Sequence, residues 1–485
     1  MKHITNILIS PSEKNKVTGL IPVLFWLFFI GQLIFVLFNY PNIPEWKWGN
    51  LFRTNGFTAL LSIIVTFFCA IISTYANSYF KHVAHRSKFM LLCVGFTAAT
   101  LLFLISDHLA PLLVGWFLMG TIMSSLIGLE TGWGEAREAK RLAQHYFLAS
   151  GIFLSIGLLF LAAYHNVITL SDLMVSVKET PYYLIVISAL CVISAALIQS
   201  AIFPFHKWLL SSMTAPTPAS ALMHAGFVNG SGILLTLLAY IIIESNTMNL
   251  LFIIGGLTAI LAQFAKLIQV NIKQRLACST IAQMGFMIMQ GGLGFFNAAI
   301  AHLILHGFYK AYLFLSSGES VRQSTPTQPP VIRIKWMEAL IVLLYSMLGA
   351  FFFARVTGKG MEWNSGIFLT LIASIAVGQA TYNIVKQNTF TGIQKIMLPP
   401  VLFVAGIGAY ALAYNLVSNL MSGMELIYRP SALSPLQIGF GLIFLVGFFL
   451  MKLGVYRNIP WLYIKLMNLS QPYKNTILMY KTKVQ

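Results

Sequence analysis

His302, His306 and Lys310 recur at four-residue intervals inside an apolar stretch, HLILHGFYKAYLFL. Four residues advance an α-helix by about 6 Å and carry it about 40° past a full turn, so the three side chains form a ladder on one helix face. All three are nitrogen bases able to take up and release a proton. Histidine does so near neutral pH, and lysine does so when it is partly desolvated. An ionisable group at bilayer depth costs about 2.5–3.5 kcal/mol on insertion scales, so such a stripe reads as part of a proton or cation path. The competing reading is structural: hydrogen-bonded packing histidines and a lysine that snorkels. Lys266 and Lys273 are two further lysines of apolar surroundings. They lie seven residues apart, a spacing that puts both on a similar helix face. For Lys266, a desolvated relay and a snorkelling side chain near the membrane edge both remain open.

The elements that must position these groups follow from composition. The chain has 485 residues, is 58% hydrophobic and only 9% charged; its mean hydropathy is +0.78. About 14 apolar runs of helix-spanning length recur along it, which predicts an all-α polytopic membrane protein with no room for a soluble domain. The first run follows a Lys-bearing N-terminus without a small-residue cleavage site and reads as a retained helix. The formal charge of +18 is no nucleic-acid signature. With a cytoplasmic N-terminus, most Lys and Arg fall on the cytoplasmic side, as the positive-inside rule requires. An even helix count then places both termini in the cytoplasm. Cys69, Cys93, Cys191 and Cys278 sit in or beside apolar runs without ligand spacing, so packing roles are expected, with neither disulfides nor metal.

The longer cytoplasmic loops are expected at 130–146, 204–217 and 317–335; the first and third read foremost as solvated connectors, with partner binding the competing reading for each and a place along the membrane surface open to the first. The tail from 460 mixes aromatic and basic residues, the pattern of an interfacial segment contacting lipid. Pro204 sits at the end of the run 182–203, where it either breaks a membrane helix or ends it. Asp107 and His108 start the fourth helix and either form an ion mouth or cap that helix. Glu244, Glu338 and Glu425 read as solvated helix caps.

Three long motifs occur in order: FPFHKWLLSSMTAPTPASALMHAG from Phe203, NIKQRLACSTIAQMGFM from Asn271, and HLILHGFYKAYLFLSSG from His302. They resemble the antiporter-like membrane subunits of respiratory complex I and of the Mrp cation/proton antiporters, over about residues 90–355. Within that superfamily, LMHAGFVNGSG and the lack of a long C-terminal lateral helix are most similar to the smaller membrane subunit of Dab-type inorganic-carbon accumulation complexes.

The resemblance implies inverted five-helix repeats, each with a broken helix, here 88–243 and 250–385, followed by C-terminal helices and tail over 396–485 within one transmembrane domain. It implies an ion pathway through His224, Lys273, His302, His306 and Lys310, with Pro216, Thr217 and Pro218 as the turn before His224. It also exposes departures. Phe117 stands where the family's pumping members carry a membrane glutamate, and Gln199 stands where they carry its lysine partner. Loss of both is consistent, since either alone leaves an unpaired buried charge. Arg355 lies near the position of a distal lysine. Gln199, Asp107 and Arg355 are therefore accessory candidates beside a pathway that also includes Lys266.

The function this implies is a proton- or other cation-translocating subunit of the bacterial inner membrane. It would energise a DabA-like large subunit resembling a zinc-dependent β-carbonic anhydrase, which makes bicarbonate from CO2. Zinc and catalysis belong to that partner; this chain carries no zinc ligand set and no nucleotide loop, so no cofactor is expected in it. Two alternatives stand beside this: a subunit of a multi-subunit Na+/H+ antiporter or NADH-quinone oxidoreductase, and a non-conducting anchor for a cytoplasmic enzyme.

Overall fold

The computed structural model describes residues 16–83, 85–318, 336–387, 390–424, 426, 428–454, 456 and 458–477. Glu425, residues 319–335 of the third expected loop and the tail beyond 477 lie outside the described residues. The chain runs α1 (Lys16–Asn39), strands β1 (Trp46–Trp48) and β2 (Phe52–Thr54), α2 (Gly56–Tyr79), α3 (Arg86–Ile105), α4 (Leu109–Ile127), α5 (Gly134–His165) and α6 (Leu170–Ser176). It continues through α7 (Tyr182–Gln199), α8 (Lys207–Ser211), α9 (Thr217–Ala225), α10 (Gly230–Leu237), α11 (Ala239–Glu244), α12 (Met248–Ile268), α13 (Ile272–Gly292) and α14 (Phe296–Leu315). It ends in α15 (Trp336–Thr357), α16 (Gly366–Val385), α17 (Gly392–Leu420), α18 (Pro435–Leu453) and α19 (Pro460–Leu469).

Lipid offers no partner for a backbone N–H or C=O, so long apolar runs resolve as helices that bond internally. Twelve segments among the described residues are long and apolar enough to span a membrane, the pieces α9 and α10 counting as one. The more polar α13 and the apolar α18 bring the number to fourteen. Helix starts carry the expected chemistry: Asn55 with Thr58, Thr391 with Gln394 and Ser434 with Gln437 form reciprocal capping boxes.

The centre is the α9–α10 segment, with 89% of its residues buried, against 17% for the peripheral α15 and α17. Glycine permits the closest approach beside it. A Cβ on Gly255 of α12 would stand 2.6 Å from the Gly285 carbonyl oxygen of α13, and one on Gly285 would stand 2.7 Å from the Gly255 oxygen. Backbone contact of this kind is how small residues dock helices in lipid.

The two ends of the bundle differ. At one, the β1–β2 hairpin pairs at Phe52 with Ser106, and short bridges join His108 to Thr169, Phe295 to Tyr428 and Asn364 to Ala432. This is the hairpin end. At the other, α19 and the residues after it cross the bundle: Leu469 O bonds His206 Nε2 at 2.8 Å, Gln269 Nε2 donates to Ser470 O at 3.1 Å, and Tyr473 N donates to Ser211 Oγ at 2.9 Å. This is the tail end. Burial pushes the His206 imidazole down to about 4, with the neighbouring Lys207 charge adding to the effect. The α19 surface turned away from these contacts exposes Trp461 and Ile464.

Three sequence expectations change in the structure. The charged segment 130–146 is not mainly a loop: α5 starts at Gly134 and runs on through the membrane, because its polar and apolar halves are both good helix formers. The apolar stretch 219–243, one of the fourteen runs of helix-spanning length, is not one helix but α9, a 3-10 turn at Phe227–Asn229, α10 and α11. Lys266 and Lys273 do not share a helix: Gln269 leaves helical geometry and Asn271 caps α13, so the chain turns between them.

Candidate functional site: a buried basic ladder

Helix α7 ends at Gln199, and residues 200–206 form an irregular link to α8 before Pro216 sets the start of α9. The break is stitched to the second discontinuity: Ser200 Oγ bonds both the Val228 carbonyl and Ser231 Oγ. Freed backbone groups are thus met by protein, the condition for irregular backbone at membrane depth. His224 occupies the last turn of α9, fully buried and stacked on Phe314 with ring centroids 4.2 Å apart.

From His224 a hydrogen-bonded link crosses to the ladder. His224 Nδ1 lies 2.9 Å from Thr280 Oγ1. Thr280 Oγ1 donates to Leu276 O at 3.1 Å, and Lys310 Nζ donates to the same carbonyl at 3.0 Å. With the hydroxyl proton committed to Leu276, Nδ1 carries the proton donated to Thr280. One carbonyl of α13 therefore joins the lysine of α14 to the histidine of α9. Deeper along α14, His306 is buried with no protein partner on either ring nitrogen, and His302 Nε2 likewise has none. The two imidazoles lie nearly parallel with centroids 6.2 Å apart, and Phe286 packs edge-on against His302. The ladder from Lys310 to His302 spans eight residues, about 12 Å of helix rise.

Two cavities open toward this link at the tail end. One, of about 460 Å³, is lined by Lys266, Arg275, Leu276, Ser279 and Tyr309. The other, of about 440 Å³, is lined by Glu130, Ala215, Pro216 and Lys273. Lys273 Nζ donates to Ala215 O at 2.9 Å, at the turn before α9. The structure thus gathers the buried His224, Lys310 and His306 and the partly buried His302 into one axis and puts Lys266 and Lys273 at its tail-end openings.

The accessory candidates scatter. Gln199 is buried with Nε2 unpartnered, and a Cβ on Gly230 would touch both it and Trp116 at 3.7 Å. Phe117 fills the space above Gly151, so the position of the family's glutamate is apolar. Asp107 sits at the hairpin end, where its Oδ1 accepts from Ser171 N at 3.0 Å and Ser171 Oγ at 2.8 Å and so ties down α6. His108, not Asp107, caps α4, through Ala110 N at 3.1 Å. Arg355 is exposed at the end of α15, its guanidinium 5.5 Å from the Phe351 ring centre. No side-chain pattern in the sequence points to Thr280, the Leu276 carbonyl or the buried Lys359. All four ion pairs among the described residues lie at the bundle ends, involving Glu45, Glu130 or Glu138, so no carboxylate pairs with the ladder.

Residues 106–361 match the family described as NADH:quinone oxidoreductase/Mrp antiporter, transmembrane. The chain belongs to this family. The match takes in the whole axis from His224 to Lys310. Among curated relatives, the probable inorganic carbon transporter subunit DabB1 of Halothiobacillus neapolitanus is 29% identical over 398 residues, covering 75% of this chain and 70% of that protein. The probable inorganic carbon transporter subunit DabB of Hydrogenovibrio crunogenus is 29% identical over 444 residues, covering 88% and 82%. A chloroplastic NAD(P)H-quinone oxidoreductase subunit 5, from Mutisia acuminata, is 30% identical over 275 residues, 54% of this chain and 37% of that one. A chain of the Mrp complex from Dietzia sp. shares the fold with a TM-score of 0.57 at 19% identity; this chain aligns over 94% of its own length and 51% of that one. The antiporter-like, all-helical membrane architecture expected from the motifs is therefore the one observed.

Proposed function

We propose that this chain is the proton-translocating membrane subunit of an inorganic-carbon uptake complex. Protons enter at the hairpin end, move along His302 and His306 to Lys310 and His224, which the Leu276 carbonyl and the Thr280 hydroxyl hold in place, and leave at the tail-end openings near Lys266 and Lys273. Ordered water would carry them between the imidazoles, as unpartnered buried nitrogens require. The observation that supports the reading is the shared Leu276 carbonyl, which joins Lys310 and, through Thr280, His224 in one hydrogen-bonded cluster. The donor set supports a proton over sodium: protonated lysine and histidine offer a metal cation no lone pair, and no carboxylate pairs with them among the described residues.

The energy released would drive a DabA-like large partner chain of zinc β-carbonic-anhydrase type, which hydrates CO2 in one direction. That partner holds the zinc and the catalysis; this chain needs no cofactor. The names of the Halothiobacillus and Hydrogenovibrio relatives support the carbon-uptake setting. By the positive-inside rule the tail end faces the cytoplasm of a bacterial inner membrane, with both termini there.

The test is a mild-detergent pull-down of the full chain from its native membrane, with mass spectrometry and zinc analysis. One large zinc-containing partner is expected. Recovery of several antiporter or respiratory subunits without it would refute the carbon-uptake reading and favour the antiporter or oxidoreductase alternative.

A further inference from the structure

Lys359 follows α15 in a short loop at the hairpin end, and it is 1% exposed. Its ammonium has no hydrogen-bond partner and takes part in none of the ion pairs among the described residues. Aromatic rings take their place. Nζ stands 3.5 Å from the centre of the Tyr414 ring, 5.5 Å from that of Phe295 and 5.8 Å from that of Tyr410. Tyr410 and Tyr414 stack one turn apart on α17, 10° from parallel. A ring face attracts a cation most strongly when both are desolvated, so this box holds an ammonium where no carboxylate does.

The box is joined to the ladder helix. Asn297, on the first turn of α14, donates from Nδ2 to the Tyr414 hydroxyl at 3.0 Å and to Ser418 Oγ at 3.0 Å. Asn297 is five residues before His302, about 7.5 Å along the same helix. One side chain of α14 therefore links the end of the ladder to the ring that faces Lys359. The titratable groups around Lys359 are Tyr410 and Tyr414 from α17. On its own loop, the exposed Glu362 carboxylate is taken by Asn364 Nδ2 at 3.1 Å.

We propose that Lys359 and its aromatic box are the hairpin-end terminus of the proton route, with Tyr414, held by Asn297, positioning the lysine ammonium. The proposal rests on the translocation reading above. In each cycle the free amine takes one proton from water at the hairpin end, and the ammonium so formed gives it to the route. Burial brings Lys359 down to about 7, which leaves both forms populated at neutral pH.

The experiment measures proton flux with a pH-sensitive dye in membrane vesicles containing the assembled complex, with Lys310→Met in parallel. Lys359→Arg keeps the charge and the cation–π contact but cannot release a proton, so flux is expected to fall by about tenfold or more at pH 7. Lys359→His exchanges protons again, and flux is expected to return with its pH profile moved toward acid. Tyr414→Phe keeps the ring, loses the Asn297 bond, and is expected to give an intermediate rate. Wild-type flux in Lys359→Arg overturns the proposal, since a structural cation would be replaced without loss. If Lys359→Arg does not assemble on a native gel, an unshifted pH profile in Lys359→His overturns it instead. Loss in Lys310→Met with none in Lys359→Arg refutes the terminus and leaves the translocation reading standing; no loss in either refutes both.

Discussion

Replacing Lys310 by arginine separates charge from proton exchange at the centre of the ladder. Lys310 is 0% exposed, and its Nζ makes one hydrogen bond, to Leu276 O. That carbonyl also accepts from Thr280 Oγ1, so it keeps a side-chain partner when the lysine is removed. Lys310→Met therefore costs at most one net hydrogen bond, about 1 kcal/mol, partly offset by no longer burying a charge. The subunit is expected to fold and assemble. Function responds differently. Arginine stays protonated up to pH 12 or beyond, so freeing its proton at pH 7 is uphill by at least ~5 pH units, or ~7 kcal/mol. A step slowed by that much is lost. Uncoupler-sensitive inorganic-carbon uptake should fall to background in both Lys310→Arg and Lys310→Met, with the complex intact on a native gel. Lys310→Arg that retains half the wild-type uptake would refute the claim that this nitrogen exchanges protons.

Thr280→Val removes the hydroxyl between His224 and Leu276, whereas Thr280→Ser restores it; several-fold slower uptake is expected in the first alone, and equal rates would detach His224 from the route. The tail end has its own pH dependence. His206 is buried and held well below the free imidazole value, chiefly by desolvation, so the undocked state binds the proton more readily. Docking of the tail is then strongest above about pH 6.5 and weakens as pH falls toward about 4. Limited proteolysis after Lys465 or Lys474 should speed up at pH 5 in the wild type and lose its pH dependence in His206→Gln.

The ladder was legible because its signal is local: a four-residue repeat of basic side chains in an apolar run needs only helix geometry to be read. The link that uses it was not. Leu276 acts through a backbone carbonyl, which no side-chain pattern reports, and Thr280 looks like any small helix residue until His224 arrives from 56 residues away. Lys359 sits between glycines outside every apolar run, and the rings around it come from Phe295 and from Tyr410 and Tyr414, more than fifty residues apart on either side. The break at Pro204 was visible as a proline, but its counterpart at Phe227–Asn229 was hidden within a segment that hydropathy reads as continuous. The apparent pairing of Lys266 with Lys273 failed because periodicity assumes a helix, and Asn271 starts a new one.

The axis also differs in kind from an exchanger that couples an acid to a base. At Phe117 and Gln199 the chain is neutral, and no carboxylate pairs with the ladder among the described residues. Positive charges along such an axis repel without compensation. At the 6.2 Å separation of the His302 and His306 rings, an effective dielectric of about 20 gives a repulsion of ~3 kcal/mol between two imidazolium ions. A second proton on the neighbouring ring is thus disfavoured by about a hundredfold. On the proposed reading the ladder would pass protons one at a time, each leaving before the next arrives, with no negative group paired to it among the described residues on which to store one. Transfer down an existing gradient suits that arrangement, whereas pumping against one needs an acid–base pair that switches partners. The neutral residues at Phe117 and Gln199 therefore fit the same physical choice as the all-nitrogen ladder: an axis suited, on the proposed reading, to releasing a gradient and not to building one.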